Sequence, residues 1–277
     1  MAKSPAKPPA RRARKPAKPP VQRQRRVKGV TLVTGASAGL GVDFARQLAA
    51  KGHRLVLVAR RKDRLDALAR ELGDARALAL DLSEPQAAER LMADLAAHGE
   101  RVDCLINNAG FGLWGSFAKA DGGQLRSMID LNCGLLTELC HAVLPDMLKR
   151  KQGAILNVAS TAAFQPGPGM AVYFATKAYV LSFTEALHEE VASKGVHVSA
   201  LCPGPTSTEF GDVAGFQSTK NFDRIAMKSE DVVRMGLEAL EKNQAVRVTG
   251  VLNKAAAQGH RFLPRSWLRK VTKIVKS

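Results

Sequence analysis

The sequence is poor in cysteine and histidine, and neither residue type occurs at the spacing of a metal site. There are four cysteines and six histidines among 277 residues. The cysteines all lie in apolar segments without paired spacing, and they are Cys104, Cys133, Cys140 and Cys202. Buried free thiols in a reducing compartment explain that pattern, and the scattered histidines match no zinc signature. We therefore expect no metal ion in this protein.

Long hydrophobic runs are also missing. No segment approaches the roughly 20 consecutive apolar residues that a membrane-spanning helix needs, although 45% of the chain is hydrophobic. Residues 1–28 contain no continuous apolar stretch, which is atypical of a secretory signal, and their many prolines oppose the amphipathic helix of a mitochondrial presequence. We expect a cytoplasmic protein, with a peripheral position at a membrane as the alternative.

Acidic residues are absent from both ends of the chain. Residues 1–28 carry eleven Lys or Arg and residues 254–277 carry seven, so the net charge of +17 belongs to two appendages around a nearly neutral body. The first is rich in Pro and Ala and is predicted to be disordered, with weak contact to nucleic acid or an anionic membrane as a further role. The second has the pattern of a basic amphipathic helix, which either lies on a bilayer or covers an apolar patch of the body or of a second subunit.

The body, residues 29–253, alternates short apolar runs with longer helical patterns. Strands are predicted at 30–34, 54–59, 75–80, 103–107, 153–160 and 196–202, with an edge strand at 245–249, and helices near 39–51, 62–72, 84–98, 123–150, 171–194 and 229–243. The runs are continuously apolar, as in strands covered on both faces. This predicts an α/β fold, a single Rossmann-type domain with a doubly wound parallel sheet. Ligands of such sheets bind beyond the carboxyl ends of the strands.

A glycine-rich turn follows the first predicted strand, with glycines at 35, 39 and 41. Such a turn lets the backbone approach a pyrophosphate, which the helix N-terminus stabilises. The same letters also satisfy G-x-S-x-G, with Ser37 as the nucleophile of an esterase-like elbow. The elbow is disfavoured, because no earlier strand or loop is available to supply an oxyanion donor.

Cations follow the second predicted strand, where dinucleotide-binding folds carry an acid if the cofactor is NAD. Here Arg60 and Arg61 stand at that position. A guanidinium matches a 2′-phosphate bidentately, so the residues predict NADP(H). The alternative is a group of solvated cations, although cations are unfavourable at a helix start without an anion nearby. After the third strand, Asp81 is a plausible acceptor for an adenine amino group, and Ser83 is the better N-cap for the next helix.

With these motifs in order, the chain resembles a short-chain dehydrogenase/reductase of the compact NADP-dependent branch over roughly residues 29–250. The motifs are T-G-x-x-x-G-x-G at 34–41, N-N-A-G at 107–110, Asn132, Ser160, Y-x-x-x-K at 173–177, and P-G at 203–204 with a Thr after it. The resemblance implies cofactor contacts from Gly35, Ser37, Ala38, Gly39, Leu40, Gly41, Arg60, Arg61, Asp81, Leu82, Asn108, Ala109, Gly110, Tyr173, Lys177, Pro203, Gly204, Thr206 and Thr208.

The same resemblance implies the chemistry. Tyr173 is expected to be the proton donor in carbonyl reduction and the acceptor in alcohol oxidation, with its pKa lowered by Lys177 one helical turn away. Lys177 is also expected to hold the nicotinamide ribose. Ser160 is expected to stabilise charge on the substrate oxygen, and Asn132 to hold a water that links Lys177 to solvent. The alternative is a non-catalytic NADP(H)-binding regulator whose basic ends contact nucleic acid or membrane.

The substrate is less defined by the sequence. Aromatic and Met side chains in three loops predict a mostly apolar pocket for a small hydrophobic carbonyl or alcohol, and they are Phe111, Trp114, Phe164, Met170 and Phe216. The resemblance also implies a homodimer or homotetramer that pairs through the helices at 123–150 and 171–194.

Overall fold

The computed structural model describes residue 1, residues 27–215 and residues 226–259. The strands are β1 (Lys28–Thr34), β2 (Leu55–Ala59), β3 (Ala75–Ala79), β4 (Glu100–Asn107), β5 (Gly153–Val158), β6 (Val196–Cys202) and β7 (Val246–Val248). The helices are α1 (Leu40–Ala50), α2 (Lys62–Leu72), α3 (Ala87–Ala97), α4 (Gly122–Ile129), α5 (Leu136–Arg150), α6 (Ala171–Val191), α7 (Phe210–Ala214), α8 (Ser229–Glu241) and α9 (Val251–Gly259).

The strands of the described residues form one parallel sheet in the order β3-β2-β1-β4-β5-β6-β7. Successive side chains of a strand point to opposite faces, so Leu32 joins the hydrophobic cluster that includes α3, α5 and α6, whereas Val33 joins the one that includes α1, α2 and α8. Both residues are fully buried. The predicted doubly wound Rossmann-type sheet is therefore confirmed, and the continuous apolar runs reflect helices on both faces.

Two predicted helices differ from the structure. The helix expected over 84–98 begins at Ala87, and the residue before it is Gln86 with a positive φ of 59°. Ser83 does not cap the helix, because its backbone N–H and its hydroxyl both donate to the Asp81 carboxylate at 2.9 and 2.6 Å. This local bond competes with capping, as short polar side chains often do. The helix expected over 123–150 consists of α4 and α5 with a π-helical turn, Asp130–Leu135, between them.

The four cysteines are free, as predicted, but Cys133 is only half-buried while the other three are buried. Among the described residues, no three His, Cys, Asp or Glu side chains could hold a metal ion together. No helix in residues 27–215 and 226–259 is long and apolar enough to cross a bilayer. Nearly all of the basic tail and the predicted amphipathic helix near the C-terminus lie outside the described residues, so both stay predictions.

Candidate active site

The turn between β1 and α1 leaves room for an anionic ligand. Gly35 and Gly39 have positive φ values of 67° and 51°, which disfavour side chains. A Cβ on Gly41 would lie 2.1 Å from the carbonyl oxygen of Gly35, so the turn can close only with glycine there. The turn continues through Ala38 into α1, which begins at Leu40 without a side-chain cap. The N–H groups of Gly41 and Val42 donate to the Ala38 and Gly39 carbonyls at 3.2 and 3.1 Å, and no side chain covers this positive end of the helix, which suits a pyrophosphate.

The loop after β4 is fastened to this turn. The Thr34 hydroxyl accepts hydrogen bonds from the backbone N–H groups of Asn108 and Ala109, both at 3.0 Å. The Asn108 amide donates to the Thr34 carbonyl at 3.0 Å, and a Cβ on Gly35 would lie 2.9 Å from the Ala109 Cα. These bonds hold the end of β1 and the loop after β4 together at one edge of the sheet. Thr34 was named only as part of a motif in the sequence, and its bonding role becomes visible only in the structure.

Arg61 joins the end of β2 to the glycine-rich turn. Its Nε donates to the Ser37 hydroxyl and its Nη2 to the Ser37 carbonyl, both at 3.2 Å. A guanidinium cannot accept a proton, so this partner of Ser37 is no base for a nucleophilic serine, which speaks further against an esterase elbow. Arg60 is exposed. Burial acts to raise the pKa of Asp81, but the two bonds from Ser83 and, after them, the charge of Arg60 lower it below its usual value. Of the two arginines predicted to bind a phosphate, Arg61 therefore contacts the turn, while Arg60 lies near Asp81.

The residues after β3 offer fewer groups to a cofactor than the sequence predicts. One Asp81 oxygen accepts both bonds from Ser83, so the carboxylate is partly engaged within its own turn. Leu82 is buried and belongs to the hydrophobic cluster that α3 forms with the sheet. Its side chain therefore faces the core, and only its backbone remains for a ligand.

Tyr173 and Lys177 both lie on the buried side of α6, close to each other but not bonded. The Lys177 Nζ is 5.8 Å from the centroid of the Tyr173 ring and donates to the carbonyl oxygen of Val158 at 2.8 Å. Burial raises the pKa of Tyr173 to about 12, against the smaller lowering effect of the nearby Ser160 hydroxyl. Burial lowers the pKa of Lys177 to about 8. The protein's own groups thus raise the phenol pKa, which is opposite in direction to the expected depression by Lys177.

Asn132 occupies the π-helical turn between α4 and α5. Its amide exchanges two hydrogen bonds with the backbone of Phe111, at 3.1 and 2.9 Å, and donates to the Thr176 hydroxyl at 3.1 Å. A Cβ on Gly110 would lie 2.9 Å from the Asn132 Oδ1 and 3.7 Å from the Lys177 Nζ. π-Helical turns are frequent at functional sites, and this one brings Asn132 beside the N-N-A-G loop and Lys177.

Ser160 follows β5 at the same edge of the sheet. Its hydroxyl accepts from the backbone N–H of Ala162 at 3.1 Å and donates to the Pro203 carbonyl over a long 3.4 Å. A donor held by so long a bond can be redirected to another oxygen. Gly204 packs against Asn253, which lies 2.1 Å from where a Gly204 Cβ would be.

The segment after β6 contacts the glycine-rich turn, Tyr173 and Arg61. The Thr206 hydroxyl donates to the Gly204 carbonyl at 2.9 Å, and the Thr208 side chain lies 3.1 Å from where a Gly39 Cβ would be. Further along, Phe210 packs on Tyr173, and Glu209 pairs with Arg61 and Arg64. Sequence reasoning did not single out these last contacts, because Glu209 lies 148 residues from Arg61 and no local spacing connects them.

A cavity of about 170 Å³ lies beside Tyr173. Its lining includes Trp114, Phe117, Lys119, Leu125, Met128 and Met170. Of the residues predicted for the pocket, Trp114 and Met170 line it, and Phe111 packs in the cluster around Tyr173. Phe164 instead packs against the main hydrophobic cluster, and Phe216 lies outside the described residues. The cavity is mostly apolar with one cation in its lining.

Comparison with known proteins gives a consistent picture. The family model described as short chain dehydrogenase matches residues 29–215. The chain is 40% identical over 211 residues to the NADP-dependent 3-hydroxy acid dehydrogenase of Escherichia coli strain K12, an alignment that covers 73% of this chain and 85% of that protein. It is 37% identical over 188 residues to the serine 3-dehydrogenase of Agrobacterium fabrum, covering 66% and 74%.

A solved structure is similar as well. The short-chain dehydrogenase from Sphingobium yanoikuyae in complex with NADPH superposes with a TM-score of 0.76 at 35% identity. The superposition covers 85% of this chain and 94% of that one.

Proposed function

Because the chain belongs to the short-chain dehydrogenase family, we propose that it is an NADP(H)-dependent oxidoreductase that interconverts a carbonyl compound and an alcohol. The observation that carries the proposal is the meeting of Ser160, Tyr173 and Lys177 beside the glycine-rich turn. The Ser160 hydroxyl is close enough to Tyr173 to oppose the rise of the phenol pKa that burial causes, and Lys177 lies one helical turn below. A hydroxyl pair next to a dinucleotide cradle can polarise a carbonyl oxygen and deliver a proton to it.

The residues present fit NADP(H) on structural grounds. The positive-φ glycines and the uncapped start of α1 suit a pyrophosphate, and Arg60 and Arg61 suit the 2′-phosphate. Asp81, Asn108, Ala109 and Gly110 line the same edge of the sheet. NADP(H) also agrees with the NADP-dependent relative and the NADPH complex. When bound, the reduced cofactor supplies the hydride, and Lys177 would hold the nicotinamide ribose.

Tyr173 is suited above all to giving up a proton in reduction. With a pKa of about 12 its phenol stays protonated at neutral pH, so it carries the proton that reduction requires. Oxidation of an alcohol requires the phenolate, and each unit of raised pKa opposes it by about 1.36 kcal/mol. Ser160 would donate to the substrate oxygen in place of its long bond to Pro203, where charge develops. These properties favour a carbonyl reductase.

Asn132 is proposed to maintain the route by which the proton is replaced. Its amide already joins the Phe111 backbone to Thr176, and Gly110 lies between it and Lys177, since a Cβ on Gly110 would be 2.9 Å from the Asn132 Oδ1 and 3.7 Å from the Lys177 Nζ. Its Oδ1 keeps a second lone pair, which can hold a water between Lys177 and solvent. Lys177, with a pKa of about 8, can exchange protons with such a water near neutral pH.

Two substrate classes fit the cavity. The apolar lining favours a small hydrophobic ketone or aldehyde. A 3-oxo or 3-hydroxy acid is the second candidate, because Lys119 lines the same cavity and the similar E. coli and Agrobacterium proteins are named for hydroxy-substituted acids. Exchanging Lys119 for Met should raise KM for an acid and leave KM for a neutral ketone unchanged, if the acid is the substrate.

The experiment that tests the function is NADPH oxidation with a panel of neutral ketones, aldehydes and 3-oxo acids. The wild type should turn over at least one class, and Tyr173→Phe should lose turnover while binding NADPH with unchanged affinity. A wild type that binds NADPH but reduces nothing would support the non-catalytic regulator. Full turnover in Tyr173→Phe would contradict the assignment of the proton donor.

A homodimer or homotetramer remains part of the proposal. Exposed apolar side chains on the helices concerned support it, since Ile129 and Tyr179 are 44% and 43% exposed. Tyr179 stacks on Phe183 of the same helix with the rings 5° from parallel. Light scattering on the full chain would give the number of subunits, and Tyr179→Glu should reduce it if this face is buried between subunits.

A further inference from the structure

Glu209 belongs to the segment after β6 and pairs with two arginines at the start of α2. Its Oε1 accepts from the Arg64 Nη1 at 2.7 Å, and its Oε2 accepts from the Arg61 Nη1 at 3.1 Å. One carboxylate is thus shared by two guanidinium groups at the start of α2. The three side chains are 41–46% exposed, so solvent and ligands can reach them.

The segment that carries Glu209 also contacts the catalytic residues. Phe210, the next residue, packs on the Tyr173 ring, and Thr208, the residue before, packs on Gly39. The Ala214 carbonyl accepts from the backbone N–H of Trp114 at 2.9 Å. Residues 206–214 therefore connect the proton donor, the glycine-rich turn and the Arg61 guanidinium.

Arg61 is the point where a carboxylate and a cofactor phosphate meet. Its Nε and Nη2 are directed to Ser37 by two bonds, which leaves Nη1 as the group facing Glu209. The proposed 2′-phosphate site lies beside the same guanidinium. A phosphate monoester carries a charge of about −1.5 to −2 at pH 7 and three acceptor oxygens, so it binds a guanidinium more strongly than a carboxylate does. It also repels a carboxylate on the same arginine.

We propose that Glu209 is a latch that competes with the cofactor's 2′-phosphate. In the free protein it ties residues 206–214 to Arg61 and Arg64, and binding of a 2′-phosphorylated dinucleotide releases the tie, whereas NAD(H) leaves it in place. Glu209 thereby weakens NADP(H) binding selectively and makes the segment over Tyr173 respond to the phosphate at the other end of the cleft. This inference rests on the proposed NADP(H) dependence.

The test compares Glu209→Gln with the wild type by isothermal titration of NADPH and NADH, without substrate. Exposed ion pairs have modest strength, so we expect NADPH to bind about three to ten times more tightly to the variant, with NADH changed less than twofold. Glu71→Gln is the matched control, since Glu71 is an equally exposed carboxylate paired with Arg46 outside the cleft. It removes the same charge and should leave both affinities unchanged.

Hydrogen exchange of the free protein tests the tie itself. Amides in 206–214 should exchange at least twofold faster in Glu209→Gln than in the wild type or Glu71→Gln. An unchanged or weaker NADPH affinity in Glu209→Gln, an equal gain for NADH, or unchanged exchange would overturn the latch while the wild type still binds NADPH. A wild type that does not prefer NADPH over NADH would instead overturn the proposed cofactor, and the latch with it.

Discussion

The ring of Phe210 lies against the ring of Tyr173, with the centroids 5.4 Å apart and the planes inclined by 46°. Phe210 belongs to the short helix α7, whereas Tyr173 lies near the start of α6, so this contact holds the segment after β6 over the proposed proton donor. It also contributes to the burial that raises the pKa of the phenol. Phe210 itself is 36% exposed, which leaves one side of the ring for a substrate.

Phe210→Ala should weaken substrate binding more than it slows the chemical step. Aromatic pairs contribute about 0.5–1.5 kcal/mol beyond the area that they bury, so we expect KM for an apolar carbonyl to rise about tenfold. The NADPH dissociation constant should change little. Steady-state kinetics with Leu252→Ala, an exposed apolar residue on α9, provides the control. An unchanged KM would show that Phe210 does not cover the substrate.

Arg60→Gln should distinguish the two nicotinamide cofactors. Loss of a guanidinium beside a 2′-phosphate removes a charge-assisted contact, so NADPH should bind about ten times more weakly, while NADH, which lacks that phosphate, should bind as before. Fluorescence titration measures both constants. Arg70→Gln, in the last turn of α2, is the control for the loss of one exposed cation close in sequence to Arg60. Equal weakening of both cofactors would place the 2′-phosphate away from Arg60.

The sheet and the candidate site were predictable to different degrees. Continuous apolar strands, a glycine turn before a helix and the Y-x-x-x-K spacing are local signals. The parallel sheet, the turn at Gly35 and the helix that carries Tyr173 therefore follow from the sequence. The Glu209 pair with Arg61 depends on how a long connection returns across the sheet, and no periodicity encodes it. Burial likewise decides the pKa of Tyr173, and the i, i+4 spacing of Tyr173 and Lys177 says nothing about desolvation.

Thr176→Val should impair catalysis by removing one of the three hydrogen bonds that hold Asn132. The Thr176 hydroxyl accepts from the Asn132 amide and donates to the Tyr173 carbonyl at 2.8 Å. Valine keeps the shape and removes both bonds. The two bonds between Asn132 and Phe111 stay, but one buried N–H of the Asn132 amide loses its partner, which costs about 1–3 kcal/mol of unfolding free energy. We expect kcat to fall about tenfold at nearly unchanged KM, because Asn132 would hold its water less well.

Thr184→Val is a matched control for Thr176→Val on the same helix. The Thr184 hydroxyl accepts from the Asn157 amide at 3.0 Å and donates to the Val180 carbonyl, the same pattern of bonds away from Tyr173. It should lose comparable stability in urea denaturation and keep its kcat. Equal losses of kcat in both variants would mean that Thr176→Val acts through lower stability and not through Asn132.

Lys177 should destabilise the free protein at neutral pH. Its pKa is lowered from 10.5 to about 8 by burial, so between pH 8 and 10.5 the unfolded chain binds a proton that the folded chain does not. The free energy of unfolding therefore gains from this group as pH rises through that window. Below pH 8 the full penalty applies, and at about 1.36 kcal/mol per unit it amounts to a few kcal/mol.

Lys177→Met removes this penalty together with the hydrogen bond to Val158. We expect the variant to be more stable than the wild type by about 1–3 kcal/mol at pH 7, with the difference shrinking as pH rises from 8 to 10.5. Burial raises the pKa values of Cys104, Cys140 and Tyr173, so these groups lower stability at high pH in both proteins and cancel in the difference. Urea denaturation at several pH values measures it, with Lys194→Met as the exposed-lysine control. A difference that stays constant across the window would mean that Lys177 is not desolvated in the folded protein.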